Sequence, residues 1–354
     1  MLTRQIVTSA EGLTTQWLSQ VLRARVNHVD LEPVSGGLMA RTTRATLGYE
    51  DGEVGPASVV VKYPTDDEGS LGLALAMGMY ELEVRFYRDV APLLTNMSIP
   101  RCYLAELESS TGAFTLVLED LCGSRPGDVL TRCSADECSA VLAELVAFQA
   151  PLWNSPATAA LDWLADPRRT LGVFDALPLG LDPFIERFGH GLDSAHVELF
   201  QRVLPRAGEW VRSWTPPTVV QHGDFRSDNI MFGTTPSASP VTVIDFQTIR
   251  LGPPGLDPAY FLGSSVPTEE RRVIEADLIR EYHERLVAAG VEAFDFDACW
   301  QSYREGALYG VFLFVGMASQ VESTERGDLV IIDQIRRYAD MAVDLDAASA
   351  AGLA

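Results

Sequence analysis

The feature that most constrains this chain is the run Val219-Val220-Gln221-His222-Gly223-Asp224-Phe225-Arg226-Ser227-Asp228-Asn229-Ile230-Met231-Phe232, in which His, Asp, Arg, Asp and Asn stand between two apolar stretches. Polar groups bracketed in this way are held as a loop at the edge of a core, where they line a site. An exposed turn closed by Asp and Asn is the alternative reading of the same residues. Inside the run, H-x-D is followed by Asn five residues after the acid. Phosphoryl transfer needs a carboxylate near the acceptor hydroxyl and a neutral oxygen ligand for Mg²⁺, and the spacing matches the kinase loop H-x-D-x-x-x-x-N. Asp224 and Asn229 fit those two roles, and His222 reads as a brace for the loop.

Further on, Val241-Thr242-Val243-Ile244-Asp245-Phe246-Gln247 reads as an apolar strand ending in an acid, with Asp245 on the face of Val241 and Val243. A carboxylate buried at a strand end is costly unless it is paired or bound to metal. Asp245 is therefore expected as a second Mg²⁺ ligand, with a plain salt bridge as the alternative.

Upstream, Ser58-Val59-Val60-Val61-Lys62-Tyr63 places a lysine at the end of an apolar strand. In the helix expected over 75–94, Met79, Glu83, Phe86 and Val90 recur on one stripe, so Glu83 is an acid on an apolar face and needs a cation. Glu81 instead pairs with Arg85 one turn on, as on a solvated face. Pairing Glu83 with Lys62 satisfies both charges and holds the lysine against nucleotide phosphates. Gly36 and Gly37, before a strand rich in Thr and Arg, suit a phosphate cradle of backbone N–H groups, although the P-loop pattern is absent and paired glycines also occur in hairpins.

A chain of 354 residues suggests two lobes. Helix is expected near 11–25, strands at 42–49, 57–63, 102–107 and 114–118, and helices at 135–148, 195–214, 269–289, 295–320 and 329–347. The fold class is thus α+β, with a small β-rich lobe followed by a larger, mostly helical one. A net charge of −22 repels nucleic acid and anionic membranes, so neither is an expected partner. Five cysteines without a C-x-x-C pair read as reduced thiols, and no apolar stretch has the length of a signal peptide or a membrane span. A cytoplasmic location is expected, as monomer or homodimer.

With Lys62, Glu83, Asp224, Asn229 and Asp245 in that order, the chain resembles the aminoglycoside phosphotransferase and choline kinase branch of the protein-kinase-like fold. His222-Gly223-Asp224-Phe225-Arg226, Ile244-Asp245-Phe246-Gln247 and Gly252-Pro253-Pro254 to Asp257-Pro258-Ala259-Tyr260-Phe261-Leu262 look most like the ecdysteroid-kinase-like group, and similar to the phosphotransferase domains joined to some acyl-CoA dehydrogenases. The resemblance implies a two-lobed fold, with residues 1–118 as the N-terminal lobe, 119–121 as hinge and 122–354 as the helical lobe. It implies ATP (GTP is also compatible) and Mg²⁺ as cofactors, and a small hydroxylated molecule, such as an antibiotic or other natural product, as acceptor. Asp224 would orient or deprotonate the acceptor hydroxyl, Asn229 and Asp245 would bind Mg²⁺, Lys62 would hold the phosphates, and Glu83 would position Lys62. Backbone groups of Glu119 and Leu121 in Leu118-Glu119-Asp120-Leu121 would bind the purine edge, and Asp257 would brace the catalytic loop. Arg226 either stabilises transition-state charge or makes a structural ion pair. Gln247 stands where protein kinases carry the Gly of Asp-Phe-Gly, and the protein-kinase G-x-G-x-x-G is missing, which argues against a protein substrate.

Two other readings compete. One is a catalytically silent nucleotide-binding module of the same fold with a scaffold or regulatory role. The other is a metal hydrolase built on His222, Asp224 and Asp245, which lacks further ligands at metal-site spacing. Acceptor recognition is expected from 153–191 and 303–322, where Trp153, Trp163, Phe174, Phe184 and Phe188 are either cleft or ordinary core.

Overall fold

The structure, a computed structural model, describes residues 6–34, 39–318 and 325–354. The chain forms two compact units, residues 1–125 with 233–248, and residues 126–232 with 249–354.

The first unit is built on α1 (Thr15–Leu22) and five antiparallel strands, β1 (Val26–Pro33), β2 (Ala40–Tyr49), β3 (Ser58–Pro64), β4 (Cys102–Glu108) and β5 (Ala113–Glu119), in the order β1-β2-β3-β5-β4. In β3 the two-residue period turns Val59, Val61 and Tyr63 into a core shared with Trp17, Leu18 and Val21 of α1. The same period sends Lys62 to the other side of the sheet, in register with Thr42 on β2 and Leu116 on β5. Strand β1 has no counterpart in the sequence reading because it is an edge with one buried residue, Val26, and so shows no alternation.

The single helix expected over 75–94 is broken. α2 (Glu68–Met77) starts where the Asp67 side chain accepts the Ser70 N–H, and it stops at Gly78, whose φ of 66° is left-handed and whose N–H returns to the carbonyls of Ala74 and Leu75. α3 (Met79–Arg85) restarts beyond it and runs into a π turn at Phe86–Val90. The apolar stripe survives the break, since Met79, Glu83, Phe86 and Val90 are all buried. Glu81 pairs with Arg85 at 2.8 Å, as their spacing implies.

After β6 (Ser124–Pro126), the second unit is mostly helical. α4 (Ala135–Gln149) opens with a capping box between Ser134 and Glu137. The region expected to recognise the acceptor holds the short helices α5 (Pro156–Ala159), α6 (Asp162–Ala165), α7 (Arg168–Ala176) and α8 (Leu181–Phe188). Phe174, Phe184 and Phe188 there are core, while Trp153 and Trp163 are half-buried. α9 (Ser194–Val203) and α10 (Ala207–Arg212) lead to the short strands β7 (Val219–Gln221) and β8 (Ile230–Gly233); β9 (Val241–Val243) belongs to the first unit, and β10 (Arg250–Gly252) returns to the second. The remaining helices are α11 (Leu256–Ser265), α12 (Thr268–Ala288), α13 (Phe296–Ala318), α14 (Glu325–Asp344) and α15 (Ala347–Ala350). Every residue of α11 is buried, and it packs on α13 and α14. Gly255 before α11 and Gly306 in α13 permit that approach: a Cβ on Gly306 would collide with the Gly255 carbonyl.

Residues 233–248, expected in the helical lobe, fold into the first unit. Val243 N–H donates to the Ser98 carbonyl at 3.0 Å, Thr242 and Ser98 share a hydroxyl hydrogen bond at 2.9 Å, and the Thr234 N–H and hydroxyl both reach the Gly123 carbonyl at 2.8 Å. The five cysteines are free thiols. Among the described residues no helix is long and apolar enough to cross a membrane.

Candidate active site

In the first unit, the ammonium of Lys62 lies 2.7 Å from both carboxylate oxygens of Glu83 and 3.1 Å from Oδ1 of Asp245. Strand β3 presents the lysine, α3 brings Glu83, and the turn after β9 brings Asp245. Burial works against the charged lysine, but Asp245 and Glu83 more than offset it, and its pKa is raised above that of a free lysine. Asp245 departs from expectation. β9 ends at Val243, so Asp245 is not part of the strand, and its side chain keeps 27% of its exposure. Its φ of 68° is left-handed, a conformation that a non-glycine residue holds only when its surroundings impose it and that clusters at functional sites. Phe246 beside it stacks on Phe86, one turn beyond Glu83, which ties the acid's turn to the helix carrying the glutamate.

The proposed purine-binding segment also lies in this unit. The side chain of Asp120 is shielded from solvent and receives Arg44 Nε at 2.7 Å and Ser58 Oγ at 2.7 Å, so β2 and β3 clamp it. Burial alone would raise the Asp120 pKa, yet the hydrogen bonds from Arg44 and Ser58 hold it below the ordinary carboxylate value. The Glu119 N–H is committed to the Arg101 carbonyl at 2.8 Å and is not available to a purine edge. Gly36 and Gly37, the expected phosphate cradle, lie outside the described residues.

In the second unit the run that opened the sequence reading forms a clamped loop. The buried carboxylate of Asp257 accepts the backbone N–H of His222 at 2.6 Å and that of Gly223 at 3.0 Å, which makes it the brace expected of it. Burial outweighs these bonds and raises the Asp257 pKa. Asp224 N–H donates to His222 Nδ1 at 3.2 Å, so His222 supports the loop from inside. Asn229 Nδ2 donates to the Asp224 carbonyl at 2.7 Å and to Asp224 Oδ2 at 2.9 Å. With its amide nitrogen engaged, Asn229 has its Oδ1 left as an acceptor, the kind of neutral oxygen that Mg²⁺ takes.

Arg226 lies between two acids, with Nε 3.3 Å from Asp224 Oδ1 and Nη2 3.3 Å from Asp228 Oδ2. Asp228, to which the sequence reading gave no role, is itself fixed by the Val129 N–H at 3.0 Å. The attraction of Asp224 outweighs burial and keeps the guanidinium firmly charged. The candidate residues therefore assemble as two sets, Lys62, Glu83 and Asp245 in one unit and Asp224, Arg226 and Asn229 in the other. Among the described residues no three His, Cys, Asp or Glu side chains cluster as a metal site. The amide oxygen of Asn229 in one unit and the carboxylate of Asp245 in the other are each hard oxygen donors of the kind Mg²⁺ takes.

The sequence model of the phosphotransferase enzyme family, APH, matches residues 65–302, which contain Glu83, Asp224, Asn229, Asp245 and Asp257. The chain belongs to this family. Lys62 lies just upstream of the matched stretch of the phosphotransferase. No curated protein sequence matches the chain. Among solved structures, a protein of Ralstonia eutropha JMP134 described as a candidate aminoglycoside phosphotransferase is 17% identical, with 96% of this chain and 98% of that one covered and a TM-score of 0.52. The GDP complex of aminoglycoside 2'-phosphotransferase-IIIa is 15% identical over 90% and 94% of the two chains, with a TM-score of 0.52. The ternary complex of APH(2")-IIa with streptomycin and ATP is 16% identical over 96% and 99%, with a TM-score of 0.50. These likenesses show the two-lobed kinase-like fold of the phosphotransferase.

Proposed function

We propose that this small-molecule phosphotransferase moves the γ-phosphoryl group of a nucleoside triphosphate onto a hydroxyl group, with Mg²⁺. The observation that carries the reading is the Lys62 ammonium held at 2.7 Å by Glu83 and at 3.1 Å by Asp245. Two acids far apart in sequence meet on one largely buried cation, and an ion set of this kind costs desolvation without adding much stability, which is economical when the cation has a phosphate to bind.

In this reading Lys62 holds the α- and β-phosphates and Glu83 keeps it extended from β3. Asn229, through Oδ1, and Asp245 would hold Mg²⁺, which when bound offsets the negative charge of the phosphates. Asp224 accepts a hydrogen bond from the acceptor hydroxyl. The oxygen of that hydroxyl bonds to the γ-phosphorus, the bond from phosphorus to the β,γ-bridging oxygen breaks, the nucleoside diphosphate leaves, and the acceptor proton passes to Asp224. Arg226, paired with Asp224 and Asp228, fixes the direction in which the Asp224 carboxylate points. The Leu121 N–H and the Glu119 carbonyl are the backbone groups proposed for the purine edge. The acceptor is a hydroxylated small molecule, by analogy with relatives whose structures contain streptomycin.

Calorimetric titration of Mg–ATP and Mg–GTP into wild type and into Lys62→Ala tests the carrying observation. Binding in the wild type that weakens about tenfold or more in the variant is expected. Equal affinity in both proteins would remove Lys62 from the phosphate site.

A further inference from the structure

Gly223, the residue before Asp224, has a φ of 82°, a left-handed conformation in which a side chain would be strained. The peptide that joins it to Asp224 is bonded at both of its polar atoms. On one side the Asp224 N–H donates to His222 Nδ1 at 3.2 Å; on the other, the Gly223 carbonyl accepts the hydroxyl of Tyr309 at 2.6 Å. Tyr309 comes from the middle of α13, far away in sequence, and is fully buried. Its ring has no freedom to leave: it stacks on Phe174 of α7 at 6.3 Å and 19°, meets Tyr260 of α11 edge-on at 5.4 Å, and lies under the Arg250 guanidinium at 5.4 Å. Burial raises the Tyr309 pKa, so the hydroxyl keeps its proton and stays a donor.

We infer that Tyr309 is a positioning residue for phosphoryl transfer: its hydroxyl fixes the Gly223–Asp224 peptide plane and thereby the direction of the Asp224 carboxylate. The inference rests on the phosphotransferase reading of Asp224. Asp257 anchors the loop from the other end, through the N–H groups of His222 and Gly223. Without the Tyr309 hydroxyl the Gly223 carbonyl is left buried and unpaired on that side, and rotation of this peptide carries Asp224 with it. A small displacement of a catalytic group is enough to slow the chemical step while leaving substrate binding intact.

The test compares Tyr309→Phe with Tyr49→Phe in the full chain. Tyr49 ends β2 in the first unit, and its hydroxyl donates to the Pro56 carbonyl at 2.8 Å, outside the loop and the stretches expected to recognise the acceptor. Both variants lose one tyrosine hydroxyl hydrogen bond to a carbonyl and both are expected to melt at a lower temperature. Only Tyr309→Phe is expected to lower kcat for acceptor-stimulated ADP release, by about tenfold, with KM for ATP within about twofold of wild type. Amide hydrogen exchange of residues 219–230 supplies a readout that does not need an acceptor, and it is expected to quicken in Tyr309→Phe alone. Unchanged kcat in Tyr309→Phe, an equal loss of kcat in Tyr49→Phe, or exchange that does not differ between the two variants would overturn the inference. If the wild type transfers to no acceptor while exchange still quickens only in Tyr309→Phe, the clamp stands and the phosphotransferase reading of Asp224 falls.

Discussion

The two sets of candidate residues are held by different physics. Lys62, Glu83 and Asp245 are joined side chain to side chain, from a strand, a helix and a turn, with no backbone group in the set. Asp224 and Asn229 lie within one short loop whose backbone is bonded at His222, Gly223 and Asp224 by Asp257, Tyr309 and Asn229. A set of ion pairs can exchange partners when a phosphate arrives, because each charge keeps a favourable neighbour throughout. A loop clamped through its peptides keeps one geometry, which is what a group that takes a proton in the transition state requires. Under the proposed function, the first set would supply adjustable binding and the second fixed chemistry.

The largest effect expected comes from the fixed set. Asp224→Asn keeps the shape and the neighbours of the carboxylate but removes its charge, and kcat should fall by about a thousandfold with nucleotide affinity retained. Steady-state kinetics together with calorimetry checks this, and a matched loss of affinity would blur the division between the two sets. Next, Asp257→Ala leaves the N–H groups of His222 and Gly223 unpaired in a buried place and should cost about 3 kcal/mol in denaturant unfolding. A cost near that of an exposed substitution would show that the loop is not held through its backbone.

Glu83→Gln probes the adjustable set. Lys62 keeps Asp245 as a partner, so the protein should fold while KM for ATP rises about tenfold and kcat falls less. The smallest effect expected is at Asp120. Its pKa is held below the ordinary value near 3.9, so its contribution to stability is present above that pH and is lost as pH falls through the depressed value. Asp120→Asn should remove that part of the acid dependence, read as melting temperature against pH, and an unchanged profile would show that the Arg44 clamp carries no stability.

How far the sequence could be read follows the same division. The clamped loop was legible because its polar residues are contiguous and flanked by apolar ones, and the pairing of Lys62 with Glu83 because each stood alone on an apolar face. The position of Asp245 is not legible, since an apolar run ending in an acid does not reveal that β9 stops two residues earlier and the chain turns left-handed. The break at Gly78 does leave a signal in the sequence, as a glycine inside a helical pattern often marks a cap. The tie of residues 233–248 to the first unit depends on hydroxyl and backbone bonds to Ser98 and Gly123 that no periodicity encodes. Tyr309 lies within 303–322, the stretch expected to recognise the acceptor, and no signal in the sequence singles it out; in the structure its ring is core and its hydroxyl holds the Gly223 carbonyl.

The most direct test of the central claim is ADP release from Mg–ATP across a panel of hydroxylated compounds, including aminoglycosides, macrolides, nucleosides, amino alcohols and sterols, with Asp245→Ala run alongside. The account predicts that at least one compound stimulates release in the wild type, that omitting Mg²⁺ or substituting Asp245 abolishes the stimulation, and that the compound gains one phosphoryl group. Release that is unaffected by Asp245→Ala, or a wild type that binds neither ATP nor GTP with Mg²⁺, would contradict it.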